Sequence, residues 1–243
     1  MSQLLDRVAI ITGASAGIGR AIALAYAAEG AQVVLAARNK EKLAAAATAI
    51  EMAGEDGAGV ATDVTSESDI ANLFRQAVET FGRVDVLVNN AGVSASAPTD
   101  ELSLDEWRKV IDVNLTGAFL CSREAVRAMK PQRRGRIINI GSVSAKVPRK
   151  NSAAYAASKF GLEGLTRSLA LDAREFGIAV SILQAGNTAS ELWRGREDVA
   201  QREGVMPAEE LARVAVLMAA LPPEINFLEG IVLPVSMPFL GRG

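Results

Sequence analysis

The sequence of 243 residues contains no histidine and a single cysteine, Cys121. Without histidine, neither a Ser-His-Asp nor a Cys-His catalytic triad can be built. Zinc sites of the His/Cys type are excluded as well, and with them the zinc-dependent alcohol dehydrogenases. One cysteine cannot form a disulfide within the chain. We expect no metal site, and an acid–base enzyme built from this chain must move its proton with Tyr, Lys, Asp or Glu.

The chain also lacks an excess of charge of either sign and any long apolar run. Its formal net charge is -2, whereas nucleic-acid-binding domains carry strongly basic faces, so we expect no nucleic-acid partner. No apolar run reaches the roughly 18 residues of a transmembrane candidate, so we expect no membrane contact. Residues 1–6 lack the basic region and the apolar core of a secretory signal. We therefore expect a cytoplasmic protein.

Short runs rich in Val, Ile and Leu alternate with longer helical patterns along the chain. Strands are predicted at residues 7–12, 32–37, 59–62, 84–89, 136–140, 178–183 and 230–235. Helices are predicted at residues 18–29, 39–53, 66–81, 104–129, 153–175 and 207–220. Nearly continuous apolar strands are typical of parallel sheets that are buried on both faces.

This alternation predicts an α/β fold with one domain over residues 1–243. The expected architecture is a Rossmann-type, doubly wound parallel sheet of seven strands with helices on both faces. One irregular stretch, at about 185–206, follows a strand and contains Gly, Asn and several charged residues. A long loop in that position is typical of a lid over an active site.

A glycine-rich segment, residues 12–19 with the sequence TGASAGIG, joins the first predicted strand to the first predicted helix. Glycines at three positions permit a tight turn and a close backbone approach to a pyrophosphate, and the helix N-terminus offers N–H groups and a positive dipole end. The spacing is not GxGxxG, and a tight turn without a ligand is the alternative. The strand–loop–helix context favours binding of a dinucleotide. The expected contacts are Gly13, Ser15, Ala16, Gly17, Ile18 and Gly19.

The second predicted strand is followed by Arg38, in the sequence Ala36-Ala37-Arg38-Asn39-Lys40. Many dinucleotide-binding folds carry an acid here, which binds the ribose 2′-hydroxyl. A guanidinium instead matches a 2′-phosphate through two charge-assisted hydrogen bonds. We therefore predict NADP(H) rather than NAD(H); a solvated arginine at a helix start is the alternative.

Tyr155 and Lys159 lie four residues apart on a predicted helix, a spacing that places both on one face. A Lys ammonium beside a phenol favours the phenolate and lowers its pKa towards working pH. Such a tyrosine can donate a proton to a carbonyl oxygen or accept one from an alcohol. Ser142 follows the predicted strand at 136–140 and is expected at the carboxyl end of the sheet, where ligands bind in open α/β folds. A chance pair on a surface helix is the alternative.

Taken together, these motifs resemble the short-chain dehydrogenase/reductase family. The matching pieces occur in the family's order from residue 7 to about 190. They are residues 12–19, Asp63-Val64, Asn89-Asn90-Ala91-Gly92, Asn114, Ser142 and Tyr155-Ala156-Ala157-Ser158-Lys159.

The resemblance implies a role for each matching position. Tyr155 would be the general acid/base, Lys159 would bind the nicotinamide ribose and tune Tyr155, and Ser142 would orient the substrate carbonyl. Asn114 would hold a helix kink and a water of the proton relay. The remaining implied cofactor contacts are Asp63 and Val64 at the adenine, Asn90, Ala91 and Gly92 in the cofactor trough, and Gly186 and Thr188 at the carboxamide.

The chain differs from the family's usual sequence at two places, and the resemblance also implies an oligomeric state. The family usually has Pro-Gly where this chain has Ala185-Gly186, and its usual ending differs from the tail after residue 228. That tail resembles the branch of NADP-dependent 3-hydroxy acid and serine dehydrogenases, in which it crosses to a neighbouring subunit. Family members are mostly tetramers, so the resemblance implies a homotetramer packed through the helices predicted at 104–129 and 153–175.

Pocket walls are expected at 93–97 and 143–149, with a lid at 187–206 that includes the apolar residues Leu192, Trp193, Val205 and Met206. An apolar lid over a small polar centre suits a ketone or a β-keto compound as the substrate. Arg149 and Lys150 either meet a substrate anion or are solvated loop charges. A rival interpretation is 3-oxoacyl reduction on acyl carrier protein, with a basic run formed by Arg127, Lys130, Arg133, Arg134 and Arg136. A non-enzymatic NADP(H) sensor is the alternative from another class; the complete set of implied catalytic residues disfavours it.

Overall fold

The computed structural model describes residues 2–190 and 197–239. Seven strands form one sheet in the order β3-β2-β1-β4-β5-β6-β7, and every neighbouring pair is parallel. The strands are β1 (Val8–Thr12), β2 (Gln32–Ala37), β3 (Gly57–Ala61), β4 (Val86–Asn89), β5 (Gly135–Ser142), β6 (Ile178–Ala185) and β7 (Glu229–Val232). The predicted doubly wound parallel sheet is confirmed.

Eight α-helices surround this sheet within the described residues. They are α1 (Gly17–Ala28), α2 (Lys40–Glu51), α3 (Glu67–Phe81), α4 (Leu104–Ile111), α5 (Gly117–Met129), α6 (Ala153–Asp172), α7 (Glu197–Glu203) and α8 (Ala208–Ala220). In the part of the chain described here, no helix combines the length and the apolarity needed to cross a bilayer.

Successive residues of the central strand β1 face opposite layers of the core. Ile11 packs in one apolar cluster with Ile22 of α1, while Ile10 packs in another with Leu73 of α3 and Leu120 of α5. Because side chains alternate along a strand, a strand that is covered on both faces must be apolar at every position. This double burial explains the continuous Val/Ile/Leu runs.

The strand order reverses beside β1, which pairs with β2 on one side and with β4 on the other. The connections that leave these strands therefore run to opposite faces and open a crevice at their carboxyl ends. In open α/β sheets, ligands bind in such a crevice. The glycine-rich segment after β1, Arg38 after β2 and Asn90 after β4 all lie there.

The single long helix predicted at 104–129 is wrong. The helix is interrupted between α4 and α5 by a π-helical turn over Asp112–Thr116. In this turn the Asn114 side chain is directed at the chain segment after β4, where it bonds both the N–H and the C=O of Val93. Turns of this kind are frequent at functional sites, and no local pattern announces this one.

The irregular stretch predicted at 185–206 is also more ordered than expected. It contains the short helix α7, and Thr188 forms a parallel bridge with Met206. The Ala189 N–H donates to the Met206 carbonyl, and the Met206 N–H donates to the Asn187 carbonyl, both at 2.9 Å. Two chain segments thus pair at the base of the stretch; residues 191–196 lie outside the described residues.

Other differences concern the ends of elements, where assignment by pattern is least secure. Ser142 is the last residue of β5 instead of lying past that strand. Pro207 precedes α8 as its cap residue instead of opening the helix. The helix α6 ends at Asp172, and a short 3-10 turn then leads to Gly177, whose φ of 67° suits glycine.

Candidate active site

A cavity of about 680 Å³ occupies the crevice at the carboxyl ends of the strands. It brings together most of the residues predicted for cofactor binding and both members of the Tyr–Lys pair. These are Gly13, Ser15, Ala16, Gly17, Ile18, Arg38, Asp63, Val64, Asn90, Ala91, Gly92, Tyr155 and Lys159. Five other predicted residues do not line it: Gly19, Asn114, Ser142, Gly186 and Thr188.

The glycines of the loop meet two different needs. Gly13 and Gly17 have φ values of 65° and 53°, in the region that favours glycine. A Cβ on Gly13 would also lie 2.9 Å from the Cα of Ala91. Gly19 lies outside the cavity lining, and a Cβ there would overlap the Asn90 amide. Gly19 therefore allows close packing of α1, while Gly13 and Gly17 shape the turn beside the cavity.

Thr12 and Asn90 hold the loop in place. The Thr12 hydroxyl donates to the Val88 carbonyl at 3.3 Å and accepts the N–H groups of Asn90 and Ala91 at 3.0 and 3.1 Å. The Asn90 amide donates to the carbonyls of Thr12 and Gly13 at 3.0 and 3.2 Å. Because these bonds lie within the chain, the loop is organised before any ligand binds.

The start of α1 suits an anionic group. Its cap residue is Ala16, which has no side-chain acceptor for the first N–H groups of the helix. Those donors and the positive dipole end are the usual features of a phosphate site at a helix N-terminus. Ala16, Gly17 and Ile18 all line the cavity, so the residues present fit a pyrophosphate.

Arg38 lies at the other end of the cavity, near the start of α2. Its guanidinium is 3.9 Å from the Asp63 carboxylate. The Thr65 N–H lowers the pKa of Asp63, against the effect of burial, and the Thr65 hydroxyl and Arg38 add to the lowering. Lys42 lines the same end of the cavity, a residue that sequence reasoning missed. The sequence signal for Lys42 was the alternating series of cations Arg38, Lys40 and Lys42.

Tyr155 and Lys159 lie on the same face of α6, as their spacing predicted. The Lys159 Nζ is 5.8 Å from the centre of the Tyr155 ring and donates to the Ile140 carbonyl at 2.8 Å. Lys159 is only 5% exposed, and this burial lowers its pKa to about 8. A phenol and an amine are thus held side by side at the cavity wall.

Asn114 acts on α6 through a residue that sequence reasoning did not single out. Its side-chain amide donates to the Ser158 hydroxyl at 3.0 Å, and that hydroxyl donates to the Tyr155 carbonyl at 2.7 Å. The π-helical turn is thereby tied to the part of α6 that carries the Tyr–Lys pair. The signal for Ser158 was its place inside the Tyr-x-x-x-Lys motif.

Ser142 ends β5 and is 8% exposed. Its hydroxyl oxygen accepts the Ser144 N–H at 3.1 Å. Since that bond uses a lone pair and not the hydroxyl hydrogen, the group can still donate to a substrate oxygen. Its own N–H donates to the side chain of Gln184 at 2.8 Å.

The residues predicted for the carboxamide lie beside the cavity. The Thr188 hydroxyl donates to the Gly186 carbonyl at 3.1 Å, and Thr188 is 2% exposed. The next polar residue of the same loop, Ser190, lines the cavity and lies 3.3 Å from the position of a Cβ on Gly17. Ser190 was missed because nothing in the sequence separates it from Thr188; the roles of Gly186 and Thr188 stay predictions.

Neither expectation for Arg149 is correct. Its guanidinium forms a bidentate ion pair with Glu203 of α7 and donates to the Asn187 amide oxygen at 3.1 Å. Arg149 is therefore neither a solvated charge nor an open anion site. Lys150 is exposed, as the second expectation had it.

The basic run considered for an acidic carrier is divided by the fold. Arg136 is 4% exposed and donates to the carbonyls of Leu221, Pro222 and Ile225 after α8. Arg133 donates to the Glu175 carbonyl at 2.7 Å. Arg136 is therefore not available to a carrier, whereas Arg127, Lys130, Arg133 and Arg134 are exposed.

Among the predicted pocket walls, Val93, Ser94 and Ala95 line the cavity, whereas residues 143–149 do not. Leu192 and Trp193 lie outside the described residues. The part of the wall that can be described is therefore made of small side chains.

Comparison with known proteins agrees with this geometry. The family model described as short chain dehydrogenase matches residues 7–200. A 3beta-hydroxysteroid dehydrogenase of Mediterraneibacter gnavus is 39% identical over 211 residues, which are 86% of this chain and 76% of that protein. A metagenomic short-chain oxidoreductase solved in complex with NADP is 37% identical, with a TM-score of 0.85 over 96% of this chain and 99% of the other.

A short-chain type dehydrogenase/reductase from Mycobacterium marinum is 30% identical, with a TM-score of 0.89 over 94% of each chain. The family match covers the glycine-rich loop after β1 and the Tyr–Lys pair on α6. The chain belongs to the short-chain dehydrogenase/reductase family of oxidoreductases.

Proposed function

We propose that the chain is an NADP(H)-dependent enzyme that interconverts an alcohol and a ketone or β-keto compound. The observation that carries the proposal is the arrangement of one cavity. It places Tyr155 and buried Lys159 at one side, the glycine-rich loop at another, and Arg38 at the far end. Acid–base and dinucleotide-binding groups thus share one space.

The chain offers a binding group for each part of the cofactor. Gly13 and residues 15–18 would hold the pyrophosphate. Asp63 and Val64 would hold the adenine, Asn90 to Gly92 the middle of the trough, and Gly186 and Thr188 the carboxamide. When bound, a nicotinamide cofactor supplies or accepts a hydride.

Tyr155 moves the proton. Its hydroxyl donates to the substrate oxygen during reduction and accepts from the alcohol during oxidation. The Lys159 ammonium favours the negative charge that develops on the phenol oxygen and would bind the ribose hydroxyls. The Ser142 hydroxyl orients the substrate oxygen, and Asn114 maintains the kink and a relay water.

Three observations support NADP(H) over NAD(H). The residue directly after β2 is Arg38, not the acid that binds a ribose 2′-hydroxyl in many dinucleotide-binding folds. Arg38 and Lys42 both line that end of the cavity. A relative that is 37% identical was solved with NADP.

We further propose that the chain works as one domain in the cytoplasm, with residues 185–206 as a lid, and as a homotetramer. Large apolar side chains on three helices support the assembly. Trp107, Phe119 and Phe160 of α4, α5 and α6 are 37%, 42% and 49% exposed. A carrier-protein substrate has less support, because Arg136 of the basic run is buried.

The test is a turnover assay with purified protein and a panel of small ketones, β-keto esters, 3-oxo acids and 3-ketosteroids. The steroids enter because a relative is named for that substrate class. We expect loss of NADPH absorbance with at least one substrate and a lower kcat/KM with NADH. Tight NADPH binding without turnover across the panel would overturn the proposal and favour a sensor.

A further inference from the structure

Gln184 links β6 to Ser142 at the end of β5. It is fully buried, and its side-chain oxygen accepts the Ser142 N–H at 2.8 Å. Its side chain crosses over Gly141, where a Cβ would overlap the amide oxygen. The N–H of Ser142 is therefore paired with a side chain, and the path of that side chain depends on a glycine.

Two carboxylates fix the orientation of the Gln184 amide. Its nitrogen lies 3.2 Å from a Glu163 oxygen and 3.4 Å from a Glu229 oxygen. Turning the amide over would place its oxygen against both carboxylates and its NH₂ against the Ser142 N–H. The acceptor is thus directed at Ser142 by charge, because only the NH₂ group can face two anions.

The two carboxylates are held in turn by two cations. Lys146 lies 2.7 Å from Glu163 and 2.8 Å from Glu229, and Arg167 lies 2.9 and 3.0 Å from the same pair. We call these four residues the ion cluster. Glu163 and Glu229 are 15% and 22% exposed, so the cluster is partly shielded from solvent.

Lys146 also connects the cluster to the other side of Ser142. It directly follows the 3-10 turn over Val143–Ala145, whose cap is the Ser142 hydroxyl. The backbone N–H of Ser142 is therefore bonded to Gln184, and the turn that follows Ser142 leads to Lys146. Both Gln184 and Lys146 contact the same two carboxylates, Glu163 and Glu229.

We propose that Gln184, oriented by the ion cluster, is a positioning residue that sets the place of the Ser142 hydroxyl for the substrate oxygen. The inference rests on the proposed function, because it requires Ser142 to touch the substrate. Gln184 itself contacts neither the substrate nor the cavity; it acts through the backbone of Ser142.

The first test is Gln184→Met, which keeps the length of the side chain and removes the acceptor. Displacement of a catalytic group by about 1 Å can cost about 100-fold in rate, so we expect kcat/KM for the ketone to fall about 10- to 100-fold. The loss should lie mainly in kcat, with the Kd for NADPH unchanged. The matched control is Ser181→Ala on the same strand, which removes a buried 2.9 Å bond to Asn226 and should leave kcat unchanged.

The second test exchanges the partners. Gln184→Glu keeps an acceptor for Ser142 but sets a third carboxylate among two others, and we expect a similar loss. Adding Glu163→Gln places an NH₂ donor at position 163, so that positions 184 and 163 again pair an amide with a carboxylate. The double variant should therefore recover most of the lost kcat. This pair also serves if Gln184→Met fails to fold. Equal activity of Gln184→Glu and the double variant would overturn the role of the cluster.

A double-mutant cycle separates positioning from general stability. In a Ser142→Ala background, Gln184→Met should cause little further loss of kcat, because the hydroxyl that Gln184 positions is already absent. Additive losses would overturn the inference while leaving the proposed function intact.

A readout independent of turnover is the hydrogen exchange of the Ser142 amide, followed by NMR. We expect faster exchange in Gln184→Met and wild-type protection in Ser181→Ala; unchanged protection in both would contradict the inference. Failure of the proposed function would instead appear as wild-type protein that never turns over a carbonyl.

Discussion

Lys159 shows how a single residue can serve the site at the expense of stability. The fold removes this amine from water, and that burial lowers its pKa to about 8 from an ordinary 10.5. Its hydrogen bond to the Ile140 carbonyl holds it beside Tyr155. A charge buried for function should therefore leave a mark on the pH dependence of unfolding.

We predict that Lys159→Met stabilises the protein against unfolding at pH 7. Below about pH 8 the lysine is charged in both the folded and the unfolded state, and the folded state bears the full desolvation cost. Between pH 8 and 10.5 the folded protein loses this proton first, so the cost shrinks, and above 10.5 it is gone. The gain at pH 7 should be roughly 1–3 kcal/mol, seen as a higher Tm.

The control for this measurement is Lys40→Met, at an exposed position. This substitution removes a lysine without removing a buried amine, so it measures the effect of the exchange itself. A Lys159→Met protein that is less stable than the wild type at pH 7, or a difference that does not change with pH, would contradict the assignment of a buried ammonium.

In the proposed function, the choice between NADP(H) and NAD(H) depends on Arg38. Hydrogen bonds to charged groups contribute about 1.5–3 kcal/mol, or roughly 10- to 100-fold. We predict that Arg38→Ala lowers kcat/KM for NADPH by about that factor and changes the value for NADH little. Steady-state kinetics with both cofactors measures it, with Arg75→Ala, an exposed arginine paired with Glu79 on α3, as the control. Equal losses with both cofactors would refute a 2′-phosphate contact.

Among the secondary-structure elements, the interrupted helix shows where sequence patterns stop being informative. Caps at several other elements were readable: Asn39 accepts the Lys42 N–H at the start of α2, and Gly82 ends α3 with a φ of 81°. The π-helical turn could not be predicted from the local pattern, because Asn114 bonds there to Val93, a residue 21 positions away. Only the family resemblance implied a helix kink at Asn114, and the turn is found at that residue. Long-range contacts of this kind leave no periodic signal.

The short helix α7 was missed for a related reason. Its seven residues are mostly polar, and its position is set by Arg149 and by the pairing of Thr188 with Met206. Sequence reasoning placed a lid there, but assigned Arg149 to substrate or solvent. The place of this helix and its ion pair with the loop after β5 therefore depend on tertiary contacts.

We predict that Glu203→Gln loosens this segment. A neutral amide cannot maintain the bidentate ion pair with Arg149. Trypsin, which can cut after Arg202 of α7, should then cleave faster at pH 7, and KM for the ketone should rise. The control is Glu210→Gln, which removes an exposed pair with Arg213 on α8. Equal cleavage of the two variants would show that the pair does not hold the segment.

For the molecule as a whole, the sequence was informative where burial is continuous. The inner strands β1, β2, β4, β5 and β6 are buried almost throughout, and their continuous apolar runs made them predictable. The cavity was predictable in outline, since the ends of adjacent parallel strands must meet. Which polar side chain faces the cavity was not, as Ser190 and Thr188 show, because that depends on the exact path of a loop.

The apolar side chains that remain exposed on α4, α5 and α6 lead to a prediction about assembly. A surface with several large apolar groups is better covered than solvated. We expect light scattering to give a solution mass near four times 25.5 kDa. A monomer mass at micromolar concentration would reject the homotetramer.

The most direct test of the central claim compares Tyr155→Phe with the wild type under saturating NADPH, using a ketone that the wild type reduces. The substitution removes one hydroxyl and keeps the ring. Since general acid catalysis contributes about 10²- to 10⁴-fold, we predict at least that loss in kcat with an unchanged Kd for NADPH. A Tyr155→Phe enzyme that turns over like the wild type would contradict the assignment of Tyr155 as the acid.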